Sequence, residues 1–257
     1  MITLRSSEEL VKLRAANQLV ASILAEIRRM IVPGATTAAI DAEAERLVRA
    51  GGAEPAFKGY RGFPGTICAS VNHEVVHGFP SDRPLVEGDI LSVDMGVKLA
   101  GYYGDSAVTV GVGQIAPAAQ KLLDVTEASL YAGIDAIRVG GRVSDIGHAI
   151  QQHVEAHGYS VVREFVGHGI GTKLHEEPQV PNYGPAGRGP RLAEGMILAI
   201  EPMVNQGRAA VKVLSDGWTA VTVDGMLSAH FEHTVAVGPD GAEVLTVRPA
   251  EAAAIAR

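Results

Sequence analysis

The segment ILSVDMGVKLAGYYGDSAV, residues 90–108, sets two aspartates, Asp94 and Asp105, in apolar, β-like sequence on either side of a glycine-bearing turn. Their midpoint falls between Leu99 and Ala100. A tight hairpin centred there, with a loop of two or four residues, puts the carboxylates directly opposite each other. Opposed Cβ atoms in such a ladder lie ~4.5–5.5 Å apart, and like charges there destabilise it. Two more acids share this context, Glu201 in ILAIEPM and Glu232 in AHFEHTVAV. Any one of them reads equally as an exposed strand end or a salt-bridged side chain. Together they differ, because few lysines or arginines lie nearby and an unpaired buried carboxylate is costly. If they converge, the four cannot all stay ionised without a cation. Two divalent ions would balance them, as in two-metal hydrolytic sites, where carboxylates bridge ions ~3.5–4 Å apart. Oxygen-rich ligation with little imidazole and no sulfur suits Mn, Fe(II) or Co at least as well as Zn.

A histidine should complete such a set. VGHGIGTKLHEEP offers His168, flanked by glycines, and His175; NHEVVHGFP offers His77. Each also reads as an ordinary core or surface residue, but the apolar and glycine setting of His77 and His168 favours a site. Three other patterns carry less. HVEAH (His153 to His157) has its glutamate in the middle position, which on a helix points away from the face shared by the histidines. GHGIG lacks the third glycine and following helix of a dinucleotide fingerprint. GDSAV has no G-x-S-x-G elbow, so Ser106 reads as a small packing residue.

The elements that must position these residues are legible in outline. Ser6 and Glu9 form a capping box for a helix beginning near Ser7, with apolar residues at helical spacing up to the Pro33-Gly34 stop. Thr37 caps a second helix ending at Gly51. A third starts near Pro117 and ends before Gly140-Gly141, and Ser144 caps a fourth ending at Gly158. β-like sequence follows each helix pair, from about Ala53 and then to about Val247. The tail PAEAAAIAR reads as a short helix or a frayed end. A shift of 107 residues superposes EGDILSVD on EGMILAIE, and Val32, Gly34 and Thr37 on Val139, Gly141 and Ser144. Chance and the shared grammar of helix caps explain the second match; the register of EG-x-IL before an acid points to duplication. The expected architecture is one α/β domain over residues 1–257, with pseudo-repeats about 7–110 and 116–247 and the site near their pseudo-two-fold axis.

The bulk properties narrow the function further. The chain has 257 residues, 47% of them hydrophobic and 20% charged, with net charge −7. That is an ordinary globular composition without a basic footprint for nucleic acid. No apolar run approaches the ~18 residues that span a bilayer, and the charged N-terminus lacks a signal peptide's apolar core. Cys68 is the only cysteine, which excludes an intrachain disulfide and a cysteine-based zinc site and favours a cytoplasmic setting.

The set NHEVVHGFP, EGDILSVDMGVKLAGYYGDSAVTV, VGHGIGTKLHEEPQVPNY, EGMILAIEPM and FEHTVAV resembles the type I methionine aminopeptidases of peptidase family M24, in their short bacterial form. The resemblance runs from the first helix to about Arg248. It implies the pita-bread (creatinase/aminopeptidase) fold, a curved antiparallel β-sheet covered by two pairs of helices, without an N-terminal extension domain. Motif by motif, it implies two divalent metal ions (Co, Mn, Fe(II) or Zn) held by Asp94, Asp105, His168, Glu201 and Glu232. Asp105 and Glu232 would bridge the ions, a bridging water would attack the scissile carbonyl, and Glu201 would take the water's proton. His175 would stabilise the oxyanion and His77 would contact the scissile amide nitrogen. Tyr60, Phe63, Cys68, Leu174 and Trp218 would line an apolar methionine pocket, with Phe57 at its rim. Phe57, Phe63 and Leu174 depart from the cysteine, tyrosine and phenylalanine common in bacterial members. The implied reaction removes the initiator methionine from nascent polypeptides whose second residue is small. A monomer and ribosome association go with that role, with no direct nucleic-acid or membrane partner. Two alternatives are a prolidase or aminopeptidase P relative, which usually carries a separate N-terminal domain, and a non-catalytic pita-bread binding module, which loses metal ligands.

Overall fold

The structure, a computed structural model, describes residues 1–248; the expectation for the tail 249–257 lies outside them. In chain order the elements are α1 (Ser7–Ile27), α2 (Thr37–Ala50), β1 (Glu54–Pro55), β2 (Ile67–Val71), β3 (Glu74–Val76), β4 (Ile90–Leu99) and β5 (Tyr102–Gly111). Then come α3 (Pro117–Asp135), α4 (Val143–Ala156), β6 (Ser160–Val161), β7 (Gly167–Gly169), β8 (Glu176–Val180), β9 (Ile197–Ile200) and β10 (Met203–Asn205). The described chain closes with β11 (Val211–Val213), β12 (Ala220–Thr222), β13 (Ser228–His230), β14 (Glu232–Gly238) and β15 (Gly241–Val244). Among the described residues no helix is long and apolar enough to cross a membrane.

The nine-stranded antiparallel sheet runs β1-β4-β5-β14-β9-β7-β8, with β2 also on β4 and β15 on β14. The helices pack as two pairs, α1 with α2 and α3 with α4. Leu24, Ile40, Leu130 and Ile150 from the two pairs join sheet residues such as Leu91 and Leu198 in one buried core. This is the pita-bread arrangement. The first helix starts as its capping box predicts, with the Ser6 hydroxyl accepting from Glu9 N and the Glu9 carboxylate from Ser6 N. It stops at Ile27, before a 3₁₀ turn at Arg28–Met30. Two cap assignments need correction. Thr36, not Thr37, caps α2 through Ala39 N. α4 starts at Val143, with Asp145 accepting from Arg142 N, while the Ser144 hydroxyl accepts from Arg188 N across the loop.

The β4–β5 hairpin also turns one residue later than expected. Leu99 pairs with Tyr102, so Ala100 and Gly101 form the loop. Both have positive φ, 50° and 85°, as a two-residue turn matched to strand twist requires. Only Gly101 adopts that conformation without strain, and this fixes the centre. Asp94 therefore faces Ala107 and Asp105 faces Gly96: the carboxylates are diagonal neighbours on one face, not directly opposed.

The hairpin is set against α1 through Gly104. A Cβ there would come within 2.9 Å of the Ala16 and Asn17 backbone. That approach lets buried Asn17 accept from Asp105 N at 3.3 Å. Gly104→Ala should therefore cost about 1–3 kcal/mol by overpacking, measured by urea denaturation; unchanged stability would contradict this packing.

Candidate metal centre

Asp94, Asp105, Glu232, Glu201 and His168 come from β4, β5, β14, the end of β9 and β7, which are consecutive neighbours across the sheet. Ala107 is the ladder partner of both Asp94 and Glu232. Glu201 lies one residue past Ile200, the partner of His233, and so falls in line with Glu232. Two residues along the strands, on the same face, Asp105 faces Gly96 and His168 faces Ala199. The five side chains thus occupy two adjacent rows on one face, and Ala107, Gly96 and Ala199 leave room between them. The ligand atoms of Asp105, His168 and Glu232 lie within 4.8 Å of one another. His168 Nε2 is 3.6 Å from Glu201 Oε1 and 4.0 Å from Asp105 Oδ2.

Backbone groups hold this cluster in place. The Ser106 hydroxyl donates to the Glu232 carbonyl at 2.7 Å, and that of Thr234 to the Asp105 carbonyl at 2.8 Å. Ser106 is thus a buried fastener, not a nucleophile. Asn182 donates to the Glu201 carbonyl at 3.1 Å. His168 Nδ1 bonds the Gly169 carbonyl at 2.9 Å, which assigns the ring proton to Nδ1 and turns the Nε2 lone pair toward the acids.

A lone pair aimed at carboxylates demands something positive between them. Asp94 Oδ1, Asp105 Oδ1 and Glu232 Oε1 are buried without a hydrogen-bond partner among the described residues. No lysine or arginine there forms an ion pair with any of the four acids; only His168 and His230 come within 4.0 Å. Burial lifts Asp94 to about 7, offset by a hydrogen bond from Asp105. Burial, then Glu232 and Asp94, pushes Asp105 well above the usual carboxylate range. Glu201 and Glu232 move the same way, through burial and then their acidic neighbours. Burial, followed by nearby His175, lowers His168 to about 4, so its ring is neutral. Deprotonation of this donor set is favourable only with cations bound, so the residues fit divalent metal.

The cluster lies at one side of a cavity of about 370 Å³. Phe57, Tyr60, Phe63, Cys68, Leu174 and Trp218 line its apolar side, and His77 and His175 also reach it. Cys68 sits across the ladder from Asp94, and burial raises its thiol pKa. Gly96 admits Phe57, whose ring lies 3.0 Å from where a Cβ would stand. Phe63 and Trp218 meet edge to face at 5.1 Å. His77 has φ 63°, rare for a residue with a side chain, and its ring stands edge-on to Phe165. The Tyr60 hydroxyl lies 2.9 Å from His175 Nδ1. The structure thus gathers every sequence-derived candidate around one cavity. It adds Arg61 and Gly217 to the lining, and buried His230, whose Nε2 is 3.7 Å from Glu201 Oε2. His230 stands two residues before Glu232 in AHFEH, a signal that could have marked it. His153 and His157, by contrast, stack on each other at the end of α4.

The sequence model of metallopeptidase family M24 matches residues 11–239. Methionine aminopeptidase 1 of Bacillus subtilis is 54% identical over 246 residues, covering 96% of this chain and 99% of the relative. The Clostridium perfringens methionine aminopeptidase is 51% identical, with 96% and 99% covered. The crystal structure of methionine aminopeptidase from Rickettsia prowazekii superposes with TM-score 0.95 at 42% identity, covering 96% of this chain and 100% of that one. The Pyrococcus horikoshii prolidase, at 21% identity and TM-score 0.77, shares the fold; 95% of this chain spans 63% of it.

A pH dependence follows from the carboxyl cluster. Each acid binds its proton more tightly folded than unfolded, so this stabilisation is complete below about pH 4 and is lost as pH rises through the folded value, about 7 for Asp94. The buried histidines act oppositely, but their opposing effect fades as pH rises through about 6.5, where the unfolded imidazoles lose their protons. The Tm of metal-free protein should fall by a few degrees between about pH 6.5 and 8.5, and excess manganese should abolish the fall. A flat metal-free profile would contradict the clustering of these acids.

Proposed function

The chain belongs to metallopeptidase family M24, and from that premise and the site's geometry we infer that it is a metal-dependent aminopeptidase removing N-terminal methionine from polypeptides. The observation that carries this is the convergence of five ligand-type side chains from five neighbouring strands beside an apolar recess. Asp94, Asp105, His168, Glu201 and Glu232 would hold two divalent cations, of which Mn, Fe(II), Co and Zn all suit the donors. When bound, the ions supply Lewis acidity for the scissile carbonyl and lower the pKa of water.

The protein's own groups do the rest. The recess of Phe57, Tyr60, Phe63, Cys68, Leu174 and Trp218 takes the methionine side chain. Leu174 and Phe63, both buried, set its depth. Glu201 accepts the proton of the attacking water as the carbonyl carbon gains its oxygen, and returns it to the amine as the C–N bond breaks. We assign the Tyr60 hydroxyl, 2.9 Å from His175 Nδ1, as the donor of that bond, which leaves the ring proton on Nε2, a donor for the developing oxyanion. Burial, then the nearby positive charge of Arg61, lowers the His175 pKa, so it works as a neutral donor. His77, held between Phe165 and Trp218, contacts the scissile amide nitrogen and crowds the following residue, favouring a small one.

The 107-residue offset between Asp94, inside β4, and Glu201, one residue past β9, supports one catalytic domain of two related halves, 7–110 and 116–247. A cytoplasmic, monomeric enzyme acting on nascent chains, at the ribosome, accords with the lone buried Cys68 and with this substrate. The manganese-loaded protein should cleave Met-Ala-Ser and leave an Xaa-Pro dipeptide intact. Cleavage of the Xaa-Pro dipeptide alone would favour the prolidase alternative, and no cleavage of either would favour a binding module.

A further inference from the structure

His175 stands at the exposed mouth of the cavity, on the loop between β7 and β8. Its placement depends on what holds that loop, and much of the fastening comes from the opposite end of the sequence. Arg5 Nη2 lies 2.7 Å from Glu176 Oε1 and 2.5 Å from Oε2. The same Glu176 carboxylate accepts from Lys173 N at 3.0 Å and from the Thr172 hydroxyl at 3.3 Å. One side chain thus ties together the loop that presents Leu174 and His175, and Arg5 anchors it. Arg5 is itself fixed: its Nη1 reaches Glu9 Oε1 at 3.2 Å, and its backbone N–H donates to the Gly195 carbonyl at 2.8 Å. The Arg5 side chain is only 5% exposed and that of Glu176 12%. A Cβ on Gly171 would run into the guanidinium, so that glycine makes room for it. Buried pairs of this kind are disrupted strongly when one partner is removed, because the other charge stays buried.

We propose that Arg5 is a positioning residue for His175: its guanidinium, clamped on Glu176, fixes the loop that presents the imidazole to substrate. Arg5 is not in the cavity lining and touches no candidate metal ligand in any described hydrogen bond or ion pair. It therefore acts on turnover through the loop. A small displacement of a group aligned with a reacting centre is enough to lower rate without loss of binding. The proposal rests on His175 being the donor to the developing oxyanion, and its test separates the two.

The test is a double-mutant cycle on the manganese-loaded enzyme with Met-Ala-Ser, following kcat, KM and metal content. Arg5→Met should lower kcat about tenfold, with KM and metal content within about twofold of wild type. In the His175→Ala background the same substitution should change kcat less than about twofold, since the group it positions is gone. An equal fold loss in both backgrounds, or no loss in the wild-type background, would overturn the proposal. His175→Ala that leaves kcat unchanged would overturn the role of His175 first, and this proposal with it. Should Arg5→Met fail to fold, Glu176→Gln, which keeps the side-chain volume and removes only the charge, enters the same cycle with the same expected outcomes.

Discussion

Like charges gathered in a buried place are the constraint on which this structure depends. Four carboxyl groups and one imidazole lone pair share one face of a curved sheet, and no lysine or arginine among the described residues forms an ion pair with the acids. At such short range, with little water, simultaneous ionisation is strongly unfavourable. Protons can relieve this, and do so in metal-free protein by raising each acid's pKa. Divalent cations relieve it better, because they leave the carboxylates charged and able to accept protons. The chemistry at the centre is thus a consequence of an arrangement that is unstable without it.

The rest of the fold reads as a means of holding that arrangement. Strands supply rows at fixed spacing, so one ligand from each of five neighbours makes a compact set. Residues without bulk stand between the ligands: Gly96 and Ala107 in the β4–β5 ladder, and Ala199 beside His168. Ser106 from behind the face and Thr234 from the ligand face tie β5 to β14 through the carbonyls of Glu232 and Asp105. Further out, Asp41 accepts from Thr66 N and Ile67 N and so fixes the start of β2 just before Cys68. The helix pairs cover the sheet and exclude water from its core.

Much of the site was legible in the sequence because acids in apolar, β-like segments are costly and therefore conspicuous. The α/β class followed from the alternation of helix pairs and strand runs, the curved antiparallel sheet from the family resemblance, and the first helix from its capping box. The misplaced features share a cause: one-residue local geometry is weakly encoded. The hairpin centre turned on which residues take positive φ, and Ala100-Gly101 did so where Leu99-Ala100 had been expected. The caps at Thr36 and Arg142 lay beside equally plausible polar residues. His230 escaped because it stands in a separate short strand, and only the fold brings it against Glu201. Arg5 and Glu176, far apart in sequence, carried no local signal at all.

The most direct measurement is anomalous diffraction from crystals grown with manganese. Two peaks are expected on the shared face of β4, β5, β14, β9 and β7, ligated by Asp94, Asp105, His168, Glu201 and Glu232. A face with no ion, its acids protonated or paired with lysine and arginine, would contradict the claim that bound cations make this cluster of carboxylates tolerable.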